Sequence, residues 1–460
     1  MIKPSLPAGM RDFGPEEVQK RKVIFDTIRA VFEKHGFQPI ETSSIENLNT
    51  LTGKYGDEGD QLLFKILNSG DFLKKVKPEQ LENPKASQIL SKIAEKGLRY
   101  DLTVPLARFV AMNSNNIRFP FKRYQIQNVW RADRPQKGRY REFTQCDADV
   151  IGSKALHFDA NFVLIYQEVF QRLGLEGVVL KINHRKLLQG IAAAEGFEPL
   201  FKTFTVIIDK LDKIGVAGVE QSLVDAGLPE AFIPKFKALI AASSKDNQAF
   251  LAYLLDTWGE DEMVQSAVAD LKEVMVLVEK QLEGSDFQLK IDATLARGLD
   301  YYTGIIYEVM PPKGVKMGSI GGGGRYDGLT EVFGLKDVAG IGIAFGADRI
   351  YDVMEQVGLF QEVKVAQAEV LITYNEAPDI LAKSFELLQY LRHEGETAEI
   401  FHQPKNLKKQ LAFAAKNQFQ YVVIIGEEEL ANGQYALKNL ADGTQESLDL
   451  NGLLARLKGQ

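Results

Sequence analysis

Two runs of the chain, FKRYQIQNVWR (121–131) and REFTQCDADVIG (141–152), alternate along their length and are joined by a long loop. Alternation with period two sends successive side chains to opposite faces of a strand. Two such runs in succession predict an antiparallel pair, and that pair is the strongest constraint on the fold. On the return strand Gln145, Asp147 and Asp149 share one face, which either meets water or lines a pocket. The first strand ends in Arg131, so the pair is a platform with cations at its end, and a pocket is the better expectation.

Between Arg118 and Arg141 stand eight Lys or Arg residues and one acid, Asp133. A solvated face is the ordinary explanation of a charge run. Here the cations are interleaved with Phe119, Phe121, Tyr124, Trp130 and Tyr140 and bracket the tight RPQKGRYR stretch, which points to anion binding. Arg131 closes one strand and Arg139 and Arg141 lie on the return; guanidinium forks match phosphate oxygens and stay charged, so this platform can clamp a polyphosphate. Carboxylate pairing is the alternative, but one local acid is too few. The overall charge of −7 argues against a general nucleic-acid coat, although net charge averages over unlike faces.

The 460 residues predict two to four domains, and 45% hydrophobic with 25% charged residues is the make-up of a folded soluble chain. No run of eighteen apolar residues occurs and the start lacks a basic-then-apolar leader, so a cytoplasmic protein with no membrane partner is expected. Cys146 is the only cysteine, which rules out an internal disulfide and, with five scattered histidines, makes a cysteine-based zinc site implausible. GPEEVQKRKVIFDTIRAVFEKHG predicts a helix with a Val18, Phe25, Ile28, Phe32 stripe ended by Gly36, followed by a short strand, FQPIE. Residues 68–97 read as a lysine-rich, partly helical surface excursion, and Pro105 marks a loop-to-helix junction in RYDLTVPLARFV.

Residues 187–285 turn helical, most plainly at Val264, Ala267, Val268, Leu271, Val274, Met275, Val278 and Leu282, and read as an inserted domain. Strand-like runs return at FQLKID, TGIIYEVM, MGSIGGGGRYDGL and VAGIGIAFGADRIYDVM. From about 368, VLITY, LLQYLRHEG, AEIF, LKKQLAFAA and YVVIIG, with hairpin signals at Asn432-Gly433 and Asp442-Gly443, describe a compact α/β domain. The expected division is 1–186, 187–285, 286–362 and 368–460.

Three further stretches carry chemistry. In ARGLDYYTGIIYEV an ordinary turn accounts for Gly298 and Gly304 but not for Arg297, Asp300, Tyr301 and Tyr302. In GIGIAFGADRI, Arg349 falls in the first turn of a helix, where a cation opposes the macrodipole and is better tolerated beside a bound anion. The glycines of GGGGRYDGL permit close approach of either backbone or ligand.

Taken in order, FxxxGFQPIET, RYDLTVP, WRADRPQKGRYREFTQCDADVIG, ARGLDYYTGIIYEV and GIGIAFGADRI resemble the histidyl-tRNA synthetases, a family of class II aminoacyl-tRNA synthetases, from the PAGMRDF start to the last domain. The resemblance implies an α/β (α+β) fold: an antiparallel-sheet catalytic domain with a helical insertion, and a C-terminal α/β anticodon-binding domain. It implies that histidine is activated with ATP to an adenylate and passed to the 3′ end of its tRNA, with Mg2+ on the phosphates and no protein ligand named for it. Arg131 and Arg297 would flank the α-phosphate and carboxylate. Arg139 and Arg349 would hold the outer phosphates, Phe143 would stack on adenine, and Asp133 would belong to the same ATP site. Asp101, Thr103 and Gln145 would take the α-amino group, Asp149 and Tyr302 would read the imidazole, and Tyr301 would line the pocket. Arg134, Gln136 and Lys137 would touch the tRNA acceptor end, and KNLKKQ (405–410) would meet phosphate in the last domain. GFQPIE resembles the motif that builds the homodimer interface of the class.

Two positions depart from the pattern: Asp133 where glutamate is common, and Thr144 where many relatives carry histidine or tyrosine. Two rival readings remain. One is a non-catalytic, histidine-sensing regulatory subunit of ATP phosphoribosyltransferase, which would lack the last domain and have an eroded RGLDYYTG. The other is an RNA-binding protein that uses the basic patch alone, which leaves Arg297, Asp149 and Arg349 unexplained.

Overall fold

The two alternating runs pair along their whole length. A computed structural model describes residues 2–52, 60–82, 86–296, 302–361 and 368–459, in two units, 1–363 and 364–460. The first unit holds β1 (Gln38–Pro39), β2 (Ile45–Asn47), β3 (Lys65–Ile66), β4 (Lys96–Leu98), β5 (Phe121–Trp130), β6 (Glu142–Ile151), β7 (Val179–His184), β8 (Gln288–Ile291), β9 (Ile305–Met310), β10 (Gly321–Arg325) and β11 (Gly340–Gly346). Strands β2, β4 and β3 make a small sheet. Among the described residues the other eight form one sheet in the order β1-β5-β6-β11-β10-β9-β7-β8, antiparallel except at the β1–β5 and β7–β8 pairings.

Register decides what meets what. Strand β5 runs against β6 from Phe121 opposite Ile151 to Trp130 opposite Glu142, which sets Arg123 across from Asp149, Gln125 from Asp147 and Gln127 from Gln145. On the other side of β6, Asp149, Asp147 and Gln145 lie opposite Gly342, Ala344 and Gly346 of β11. The intervening Cys146, Ala148 and Val150 point to the opposite face and are buried with Phe32, Tyr166 and Phe345 in the main core. That face is covered by the helices Pro15–Lys34 and His157–Arg172.

The first helix turns a different side inward from the expected stripe. It buries Arg21, Ile24, Ile28, Val31 and Phe32, while Val18 is 50% exposed and Phe25 only partly covered. The physical reason is Arg21, a charged residue drawn inside by an ion pair with Asp348 at 2.5 Å, which rotates the buried face away from Val18. The stretch expected to be helical runs from Arg185–Ala194 to Glu262–Leu282. In its last helix Asp261 caps the N-terminus by accepting from Met263 N at 2.8 Å and Val264 N at 3.0 Å. The periodic positions Val264 to Val278 join the same hydrophobic cluster as the sheet, with Met275 and Leu282 at its margin.

The second unit is a sheet of β12 (Val370–Ile372), β13 (Ala398–Ile400), β14 (Tyr421–Ile424), β15 (Tyr435–Asn439) and β16 (Gln445–Leu448), ordered β13-β12-β14-β15-β16. The helices Pro378–His393 and Leu407–Lys416 contribute to its cores. Asp442-Gly443 forms the expected hairpin turn, with Thr444 N donating to Asp442 Oδ1 at 2.8 Å. Asn432-Gly433 does not: it ends the helix Glu427–Asn432, with Gly433 at φ 63° satisfying the helix C-terminus. The same Asn-Gly pair suits either role, and the acidic EEE run before it selects a helix.

No helix among the described residues is long and apolar enough to cross a membrane.

Candidate active site

A cavity of about 1130 Å³ opens over the polar face of β6, β11 and β10. It is larger than the ~300–1,000 Å³ of most small-molecule pockets. Asp101, Thr103, Arg131, Asp133, Arg139, Phe143, Gln145, Asp149, Tyr302 and Arg349 all line it. Arg134, Gln136 and Lys137 do not; they are exposed on the loop between β5 and β6. Arg297 and Tyr301 lie outside the described residues.

One end of the cavity is cationic. Arg131 lies over Phe143 and Tyr100, 5.1 and 4.3 Å from their ring centroids, and is braced by Nε donating to Tyr100 O at 3.1 Å. Arg139, on the loop, pairs with Asp133 at 3.1 Å. Arg349 rises from the first turn of the helix Ala347–Val357 and donates to two backbone carbonyls, Gly138 O at 2.7 Å and Ser319 O at 2.6 Å. It thereby joins the loop tip to the strand entering β10.

Asp348 anchors this end. It accepts from Arg11, from Arg21 and, at 2.9 Å, from Thr144 N. Arg11 also stacks on Tyr140, 3.3 Å from the ring centroid, while the Tyr140 hydroxyl donates to Asp352 at 2.8 Å. Sequence reading missed this latch because its partners lie more than 120 residues apart. Thr144 is part of it: its hydroxyl donates to Asn128 Oδ1 at 2.8 Å and accepts from Arg21 at 3.2 Å.

The other end is acidic. Gln145 and Asp149 are four residues apart on one strand, so this end lies roughly 13 Å further along the cavity floor. Asp149 is buried, paired with Arg123 at 2.5 Å and accepting from the Tyr326 hydroxyl. Burial pushes its carboxyl up, against the pull of Arg123 and Tyr326. Burial raises Asp147 well above the usual carboxylate range. Asp101 accepts from Val104 N at 3.1 Å at the start of the helix Thr103–Asn113. Tyr326 and Arg123 were not singled out from sequence, although GGGGRYDGL and FKRYQ contained them; the missing signal was the register that faces them to Asp149.

Close approach explains two of the glycines. A Cβ on Gly342 would stand 2.0 Å from Asp149 Oδ1, so this glycine is the space the carboxylate occupies. A Cβ on Gly323 would stand 2.2 Å from Gly342 O, so in β10 the neighbouring backbone, and not a ligand, requires glycine. Below the cavity Asp159 takes both Arg325, at 3.0 and 3.1 Å, and the Tyr307 hydroxyl, at 2.9 Å.

The profile of the histidyl-tRNA synthetase family matches residues 9–73 and 92–350. A protein from Christiangramia forsetii named histidine--tRNA ligase is 50% identical over 457 residues, covering 99% of each chain. The chain belongs to the histidyl-tRNA synthetase family. Another ligase of that name, from Flavobacterium johnsoniae, is 48% identical over 478 residues, again covering 99% of each. The crystal structure of histidyl-tRNA synthetase from a Nostoc species superposes with a TM-score of 0.81 at 30% identity over 100% of both chains. Residues 369–460 match an anticodon-binding domain. The regulatory reading expected that domain to be missing, so family membership here is that of the synthetases, and with it an aminoacyl-tRNA ligase.

Proposed function

We propose that the cavity activates histidine with ATP and passes the histidyl group to tRNA. The observation that carries this reading is one floor strand, β6, with arginines gathered at one end and buried carboxylates at the other, in a chain of this family. The cationic end suits a polyphosphate, and the acidic end suits an amino acid whose ammonium and imidazole N–H both donate.

In the first step the histidine carboxylate attacks the ATP α-phosphate and pyrophosphate leaves. Negative charge grows on the α-phosphate oxygens, and Arg131 and Arg297 are assigned to stabilise it; losing one such donor costs about 3–4 kcal/mol of barrier. Arg139 and Arg349 take the outer phosphates and Phe143 stacks on the adenine, with Asp133 holding Arg139 toward them. Mg2+ would enter as part of the ATP substrate and offset the charge of its phosphates, with no residue of this chain assigned to it. Asp101, Thr103 and Gln145 take the α-amino group, Tyr301 lines the site, and Asp149 and Tyr302 read the imidazole. The Tyr326 and Arg123 bonds to Asp149 support its role, because they hold the carboxylate in one orientation. In the second step the terminal ribose hydroxyl of tRNA takes the histidyl group and AMP leaves. Arg134, Gln136 and Lys137, exposed on the loop, are assigned to the acceptor end.

The second unit is assigned to the anticodon. Of KNLKKQ, the exposed Lys405, Lys408 and Lys409 remain candidates for phosphate, whereas Gln410 is only 2% exposed and its amide donates to Tyr374 O and Lys405 O. A cytoplasmic homodimer is the assembly expected of the class. Each unit has its own apolar core, so a chain ending at 363 should fold. It should still form adenylate while charging tRNA at least tenfold more slowly; normal charging would remove the anticodon assignment.

A further inference from the structure

Among the described residues Asp147 has no adequate partner. Its side chain lines the cavity and the residue is 3% exposed. Among those residues it has one hydrogen bond, a long one from Gln145 Nε2 at 3.4 Å. Its cross-strand neighbour Gln125 has given its amide elsewhere, to Thr42 Oγ1 at 2.9 Å and Gln127 Oε1 at 2.5 Å. Arg123, one pair along, is committed to Asp149 at 2.5 Å and to Gln125 Oε1 at 3.3 Å. On the far side stands Ala344, which has no side-chain donor. A buried carboxylate left so poorly bonded is costly unless a cation completes it. Being desolvated, its carboxyl is held well above the usual range, so it would ionise as that cation enters.

We propose that Asp147 is a substrate-binding residue that accepts the α-ammonium group of the amino acid. This rests on the histidine-activating reading of the same cavity and adds a carboxylate which that reading did not assign. Position on β6 favours the ammonium: Asp147 lies between Gln145, assigned to the α-amino group, and Asp149, assigned to the ring. The ammonium carries a full positive charge at neutral pH, whereas the imidazole of histidine is largely neutral and is already served by Asp149.

The test is Asp147→Asn, which keeps shape and removes charge, with Asp147→Ala as a second variant and thermal melting to establish folding. ATP–pyrophosphate exchange should show the histidine KM rising about 10- to 100-fold with the ATP KM within twofold. Competitive inhibition separates the two ends of the substrate. Histamine, which keeps ring and ammonium, should inhibit about 10- to 100-fold more weakly; imidazole-4-propionate, which lacks the ammonium, should be unaffected. Equal weakening of both inhibitors would assign Asp147 to the ring or to structure and overturn the proposal, as would an unchanged histidine KM in both variants. If the wild-type protein itself gave no exchange with histidine, the underlying reading would fail, an outcome distinct from either.

Discussion

Replacing Gly342 with alanine would place a methyl carbon 2.0 Å from Asp149 Oδ1 and 2.6 Å from its Cγ. Ordinary carbon contacts lie at about 3.5–4.0 Å, so one partner must move by about 1.5 Å. The backbone cannot easily yield, because Gly342 is paired with β6 on one side and β10 on the other. Asp149 must therefore swing, which breaks the pairing of a buried carboxylate with Arg123 and Tyr326. Overpacking of this kind costs about 1–3 kcal/mol of stability. Displacing a substrate-reading group by an ångström or more costs about 100-fold in turnover. The assay is ATP–pyrophosphate exchange at varied histidine and varied ATP, beside thermal melting. The histidine KM should rise steeply while the ATP KM stays within twofold, since the cationic end lies roughly 13 Å away. Adding Asp149→Ala should relieve the crowding, so that Gly342→Ala then costs about 0.5 kcal/mol or less. A variant with a wild-type histidine KM would refute the claim that this glycine exists to seat Asp149.

Two further substitutions test the scaffold. Arg11→Ala removes the stack on Tyr140 and one partner of Asp348, so the loop bearing Arg139 should loosen. The ATP KM should rise about tenfold with the histidine KM nearly unchanged, and an unchanged ATP KM would reduce the latch to packing. Glu168 accepts from Lys34 at 2.8 Å and from His35 at 3.0 Å. Burial raises its carboxyl, but those bonds and the charge of Arg172 outweigh it and bring it down to about 2. A depressed carboxylate stabilises above its unfolded value, about 4.3, and loses that contribution as pH falls toward 2. Glu168→Gln should therefore cost on the order of 1 kcal/mol above about pH 5, with the gap to wild type closing in acid; a gap constant with pH would exclude the charge.

Local period carried the sequence reading a long way. It located β5, β6 and the helix Glu262–Leu282, and it put Gln145, Asp147 and Asp149 on one face, because strand and helix repeats are written in neighbouring residues. It failed where a distant partner decided the outcome. Arg21 is buried only because Asp348, 327 positions away, receives it, and Asp149 is held by Arg123 from β5 and by Tyr326 from just past the end of β10. The basic run was legible as a cationic cluster, and Arg131 and Arg139 do line the cavity, but the latch of Arg11, Tyr140 and Asp348 that braces it was not, since no spacing rule joins residue 11 to residue 348. Asn432-Gly433 was ambiguous for the opposite reason: one dipeptide serves two kinds of chain reversal.

The central claim, that this cavity activates histidine, is tested most directly by ATP–pyrophosphate exchange on the full chain with each amino acid supplied in turn, without tRNA. Exchange with histidine alone, abolished or nearly so by Arg131→Ala in a protein that melts normally, is the predicted result. Exchange with a different amino acid, or none from a folded protein that binds histidine, would contradict it.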